Sequence, residues 1–99
     1  THSIEQARQA VADGADYIGC GPTFPGSTKS FEAFPGTDFL GQIATEIQLP
    51  AFAIGGITAT NVDQVVRAGI RRIAVTGALR DSDDPVNTVT RLKIALRSQ

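Results

Sequence analysis

Apolar residues recur along the chain in two alternating rhythms. Ile4, Ala7, Ala10 and Val11 fall at helical spacing between Ser3, a plausible N-cap with Gln6 as its capping-box partner, and Gly14, a stop signal, which predicts a helix over 3–13. A short unbroken apolar run, within Asp16–Cys20, reads as a buried strand. Leu40, Ile43, Ala44 and Ile47 mark the next helix, and Pro50 precedes a second strand, Ala51–Ile54. Thr60 as cap, Asp63 in the first turn, then Val62, Val65, Val66 and Gly69, describe a third helix. A third strand covers Ile73–Val75. Asp83-Asp84-Pro85 is a strong helix start, followed by the face Val86, Val89, Leu92, Ala95 and Leu96, with Lys93 and Arg97 where the helix dipole favours cations.

The predicted order is αβαβαβα, three strands and four flanking helices. Short strands that are apolar on both faces and joined through helices imply a parallel sheet covered by helices, an α/β fold. An open doubly wound sheet and part of a (β/α)8 barrel both satisfy this pattern, and periodicity does not separate them. Both place ligands at the C-terminal ends of the strands.

Those strand ends carry the candidate chemistry. The first opens into Gly21-Pro22-Thr23-Phe24-Pro25-Gly26-Ser27-Thr28-Lys29, the second into Gly55-Gly56, the third into Thr76-Gly77. Backbone N–H groups, hydroxyls and one lysine at neighbouring strand ends suit a shared phosphate site, with the helix beginning near Thr60 and the turn after Thr76 adding positive potential. Each feature also has a plain structural reading. Lys29 could be a solvated loop lysine. Gly55-Gly56 could be a tight turn needing positive φ, and Thr76-Gly77 a turn without a ligand. His2 reads as a terminal residue, Cys20 as a small core residue, Asp16 as a turn residue, and Phe31 and Phe34 as a lid or as packing. Asp83 and Asp84 are better helix-start charges than metal ligands. Arg71, Arg72 and Arg80 stand outside the motif.

Bulk properties narrow the field less. The 99 residues have net charge −1, which favours neither nucleic acid nor an anionic membrane as partner. No apolar run approaches the ~18 residues that span a bilayer. A single cysteine excludes an internal disulfide and suits a cytoplasmic location. The chain opens on a helix without a preceding strand, so residues 1–99 are expected to form a single partial domain of a larger protein.

The string Ala15-Asp16-Tyr17-Ile18-Gly19-Cys20-Gly21-Pro22-Thr23-Phe24-Pro25 with Thr28-Lys29, and Ala53-Ile54-Gly55-Gly56-Ile57 with Asn61, resemble thiamine-phosphate synthase. So does Ala68-Gly69 leading to Ile73-Ala74-Val75, and Thr1-His2-Ser3 is similar to the segment after that family's fifth strand. The resemblance implies the C-terminal fragment of a (β/α)8 TIM barrel, strands six to eight. It implies a transferase that joins hydroxymethylpyrimidine diphosphate to a thiazole phosphate and releases pyrophosphate. Carried over by position, Ser27, Thr28, Gly56, Thr76 and Gly77 would bind the thiazole phosphate, and Lys29 would act at the pyrimidine diphosphate as the catalytic cation.

The family often has Thr at Gly26 and Ser at Gly77, so two hydroxyl donors are missing here. Its Mg2+-binding aspartates and pyrimidine-diphosphate motif correspond to positions before Thr1. The fragment is therefore expected to be inactive by itself and, with two sheet edges and an apolar face exposed, to self-associate. Two other functions fit: a thiazole tautomerase, in which the position of His2 resembles a catalytic base, and a non-catalytic phosphate-binding barrel fragment. The upstream sequence of the parent would discriminate them.

Overall fold

Ser3 ends the extended N-terminal residues and starts the first helix. Its Oγ accepts from the Gln6 N–H at 3.1 Å, while the Gln6 side chain reaches back one residue further than a capping box requires, to the His2 N–H. In this computed structural model, which describes residues 1–24 and 36–97, the elements run α1 (Ile4–Ala12), β1 (Ile18–Cys20), α2 (Gly36–Glu46), β2 (Ala51–Ile54), α3 (Val62–Ala68), β3 (Arg72–Ala74), α4 (Gly77–Arg80) and α5 (Pro85–Arg97). Among the described residues the helices number five, not the expected four. The single turn α4 has too few residues for an apolar periodicity, so its sequence reads as a loop.

The strands form one parallel sheet in the order β1-β2-β3, with Ile18 opposite Ala51, Cys20 opposite Ala53 and Ala53 opposite Ile73. These residues share one face, and Leu40, Ile43, Val62, Val65 and Leu92 of the helices join Ile18, Cys20 and Ala53 in the buried cluster. Neighbouring contacts run α1 to α2, α2 to α3 and α3 to α5, a layer of helices on that side. Gly69, at φ 107°, ends α3 in the left-handed conformation that glycine adopts without strain. Asp84 caps α5 through Oδ1, which accepts from the Asn87 N–H at 3.1 Å. The Arg8 guanidinium meets Glu46 with Nη2 at 2.8 Å from Oε1, joining α1 to α2 in an exposed pair that adds little stability.

Three expectations change. The sheet is covered on one face among the described residues. Tyr17, Phe52, Ile54, Arg72 and Ala74 lie on the other, where Tyr17 is 66% exposed and meets Phe52 edge-to-face, centroids 5.8 Å apart. Thr60 does not cap α3. Asn61 holds the cap position, and its side chain is engaged elsewhere. Val11 and Val86, expected on buried helix faces, are 46% and 77% exposed.

The outer edge of β1 is occupied by Thr1. Its ammonium donates to the Gly19 carbonyl, and the Gly21 N–H donates to the Thr1 carbonyl at 3.1 Å. This spacing around Cys20 is that of a parallel ladder. Cys20 is fully buried, and burial pushes its thiol up from the ordinary range, against an opposing pull from the Thr1 hydroxyl and amino terminus.

Two outcomes follow for stability and reactivity. Leu40→Ala, at a fully buried site, is expected to cost about 2–5 kcal/mol in urea unfolding. Cys20 should resist alkylation in the native state at neutral pH and label at once in urea. Because its folded pKa is raised, its share of stability is present below the ordinary thiol range and is lost as pH rises through it. Rapid native labelling would contradict the packing.

Candidate functional site at the strand ends

Parallel pairing brings the C-terminal ends of all three strands to one edge, with β2 in the middle. The ladder between the first two does not stop at Cys20. The Thr23 N–H and Thr23 Oγ1 both donate to the Ile54 carbonyl at 2.9 Å, and the Phe24 N–H donates to the Gly55 carbonyl at 3.1 Å. Thr23 is the one buried polar residue among those described, and these two hydrogen bonds satisfy it.

Backbones at this distance leave no space for side chains. A Cβ at Gly21 would lie 2.2 Å from the Ile54 carbonyl oxygen, and at Gly55 2.7 Å from the Pro22 Cα. At Gly56 it would lie 2.7 Å from the Phe24 carbonyl oxygen. Gly55 and Gly56 have φ of 96° and 69°, so the turn also needs the left-handed region. The structural reading of Gly55-Gly56 as a tight turn is correct, and the same geometry leaves the backbone bare. The Gly56 N–H donates to no described residue.

Asn61 closes the turn from the other side. Its Nδ2 donates to the Gly56 carbonyl at 3.0 Å, and its Oδ1 accepts from the Thr58 N–H at 2.8 Å. Asn61 was legible as part of a motif but not as a turn brace, because the bond spans five positions of irregular chain.

The third strand end is less built. Thr76 is exposed and makes no side-chain cap bond, and Gly77 opens α4 with an N–H that donates to no described residue. Arg80, expected outside the motif, comes back over Gly77. Its Nη2 would be 3.4 Å from a Gly77 Cβ. Its Nε bonds Asp81 Oδ1 at 3.1 Å, a pairing that raises the guanidinium pKa and lowers that of Asp81. With seven residues in α3 and four in α4, the dipole potential at these strand ends is small.

Ser27, Thr28, Lys29, Phe31 and Phe34 lie outside the described residues. His2 is exposed. Among the described residues, no group of three His, Cys, Asp or Glu could hold a metal ion, and no helix is long and apolar enough to cross a membrane. A pocket of about 230 Å³ lies at the opposite end of the sheet, lined by Ile47, Pro50, Ile70 and Arg71 among others, and includes neither Gly55, Gly56 nor Gly77.

Gly56→Ala is expected to destabilise the chain by at least about 1–2 kcal/mol, since a left-handed alanine is strained and its Cβ overlaps a backbone oxygen. Urea denaturation checks this. Wild-type stability would mean the turn is not held against Phe24.

Residues 1–79 match the family model described as thiamine monophosphate synthase. The chain is 59% identical over 88 residues to a thiamine-phosphate synthase of Rhodopirellula baltica, covering 84% of this chain and 24% of that protein. It is 43% identical over 88 residues to one of Gloeobacter violaceus, covering 89% and 26%. It thus spans about a quarter of the length of these relatives. Among solved structures, a thiamine phosphate pyrophosphorylase from Pyrococcus furiosus superposes with a TM-score of 0.84 at 31% identity, over 97% of this chain and 46% of that one. With its glycine-lined strand ends and this match over most of its length, the chain belongs to the thiamine monophosphate synthase family.

Proposed function

We propose that this chain is the C-terminal part of a thiamine-phosphate synthase, built as strands six to eight of a (β/α)8 barrel, and that it holds the thiazole phosphate. The family match over residues 1–79 carries this reading. The uncovered sheet face and the ladder pattern at Thr1 support the barrel, because a barrel interior and a neighbouring strand would occupy them. Residues 1–99 are then one partial domain.

In this reading the phosphate of the thiazole substrate sits at the strand ends. The N–H groups of Gly56 and Gly77 and the Thr76 hydroxyl donate to it, with Ser27 and Thr28 from the first loop. That phosphate does not react. Its bonds hold substrate and transition state equally, so they govern KM. Lys29 has the other role. It contacts the diphosphate of the pyrimidine substrate, where negative charge grows as the bond to carbon breaks and pyrophosphate leaves, so it governs kcat.

Mg2+, when bound in the whole enzyme, would neutralise part of that charge. The donor set described here, N–H and hydroxyl groups without a carboxylate cluster, does not fit it, so its ligands are assigned to the rest of the parent. For the tautomerase alternative, His2 would have to serve as base. It is exposed, and its hydrogen bond to Gln6 comes from the backbone N–H.

The test is a chimera in which this chain replaces the matched 88-residue stretch of the Rhodopirellula baltica enzyme. It should form thiamine phosphate from the two substrates with Mg2+. Lys29→Ala should lower kcat at least about tenfold with little change in KM for the thiazole phosphate. The isolated 99-residue chain should show no turnover. An inactive but folded chimera would sink the synthase reading, and an unchanged kcat would remove Lys29 from the site.

A further inference from the structure

Three consecutive carbonyls, those of Ile54, Gly55 and Gly56, are each pinned by a donor from outside the turn. Thr23 holds the first through both its N–H and its hydroxyl, Phe24 the second, and Asn61 the third. In a trans peptide the N–H points opposite to the C=O. Fixing the Gly55 carbonyl on Phe24 therefore turns the Gly56 N–H away from the β1 backbone, and that N–H has no partner among the described residues. The geometry points to Thr23 and Asn61 as positioning residues that aim the Gly56 N–H at a bound phosphate, though neither touches the phosphate itself. This rests on the anion site of the proposed function.

Their side chains are specific to the task. The Thr23 backbone N–H already reaches the Ile54 carbonyl, so the hydroxyl is a second donor on one oxygen and is not needed to satisfy the strand. The Thr23 side chain is buried, so its hydroxyl cannot itself reach solvent or ligand. Asn61 occupies the N-cap of α3 yet makes no cap bond there. Instead its amide spans the turn, accepting from Thr58 and donating to Gly56. Both residues give up an ordinary local role to brace the same three-residue turn. In a glycine pair with free choice of φ and ψ, such bracing replaces the stiffness that side chains would supply.

The bracing lowers the entropy lost when the anion binds. Without it Gly55-Gly56 samples other conformations, and the competent one is populated only in part, which weakens apparent affinity by that fraction.

The test is an NMR titration of the 99-residue chain with inorganic phosphate, following the Gly56 and Gly77 amides. Wild type should show a saturable Gly56 shift. Thr23→Val, which keeps shape and loses the hydroxyl, and Asn61→Ala should each weaken binding about three- to tenfold, the span of one neutral hydrogen bond. Thr23→Ser should restore it. Urea midpoints measured alongside separate positioning from stability, since affinity should recover in Thr23→Ser even where the lost methyl leaves the midpoint lowered. If Thr23→Val does not fold, Asn61→Ala and Thr23→Ser decide the matter. Equal affinity in all folded variants, or no saturable Gly56 shift in wild type at tens of millimolar phosphate, overturns the proposal. If the affinity order holds while the chimera is inactive, the positioning role stands and the synthase reading falls.

Discussion

After β1 and β2 the two backbones run side by side with no side chain between them, and the C-terminal end of the sheet depends on that contact. Three glycines permit it. Gly21 faces the Ile54 carbonyl, Gly55 faces Pro22, and Gly56 faces the Phe24 carbonyl, each closer than any Cβ could approach. Hydrogen bonds then hold what the glycines allow, with the carbonyls of Ile54 and Gly55 accepting from Thr23 and Phe24. The glycines thus have one cause. Close approach forbids side chains, and it leaves the turn as bare backbone.

The rest of the molecule supplies a rigid support for that contact on one side only. Leu40, Ile43, Val62 and Val65 have under 2% exposure and fix α2 and α3 against the sheet. The opposite face presents Tyr17, Phe52 and Ile54 beside Arg72. A parallel sheet is ordinarily buried on both faces, because its crossover helices and neighbouring strands enclose it. One covered face and one bare face agree with a chain that spans 46% of the Pyrococcus furiosus structure it superposes on.

How much of this the sequence disclosed depended on the range of the responsible force. Helix faces such as Leu40 and Ile43 follow a local period, so they were legible, as were the strands, with β3 starting one residue earlier than read. Gly55-Gly56 was legible as a turn needing positive φ. Its partners were not, because Thr23 and Gly55 lie a full β-α-β unit apart and only the parallel register brings them together. The cap of α3 was misplaced by one residue. Asn outranks Thr as a cap residue, and the Asn61 amide, engaged across the turn, makes no cap bond to mark the position. Val86 was misassigned because periodicity shows which residues share a helix face, not whether anything covers it. The single turn α4, which brings Arg80 to Gly77, had no signal of either kind.

The placement of charge bears on how such a site would bind. Each arginine given a carboxylate partner here is engaged away from the strand ends or next to its own acid: Arg8 with Glu46, Arg67 with Asp63, and Arg80 with Asp81. Even Arg80, which reaches Gly77, presents its charge already offset by the neighbouring carboxylate. An anion at the strand ends would therefore be held by directed N–H and O–H donors more than by free positive charge. Directed donors lose effect quickly when misaligned, since a hydrogen bond weakens steeply away from linearity, whereas a point charge tolerates displacement. A site of that kind needs a stiff turn more than it needs another cation. The buried hydroxyl of Thr23 and the amide of Asn61, both turned onto backbone carbonyls, would supply that stiffness.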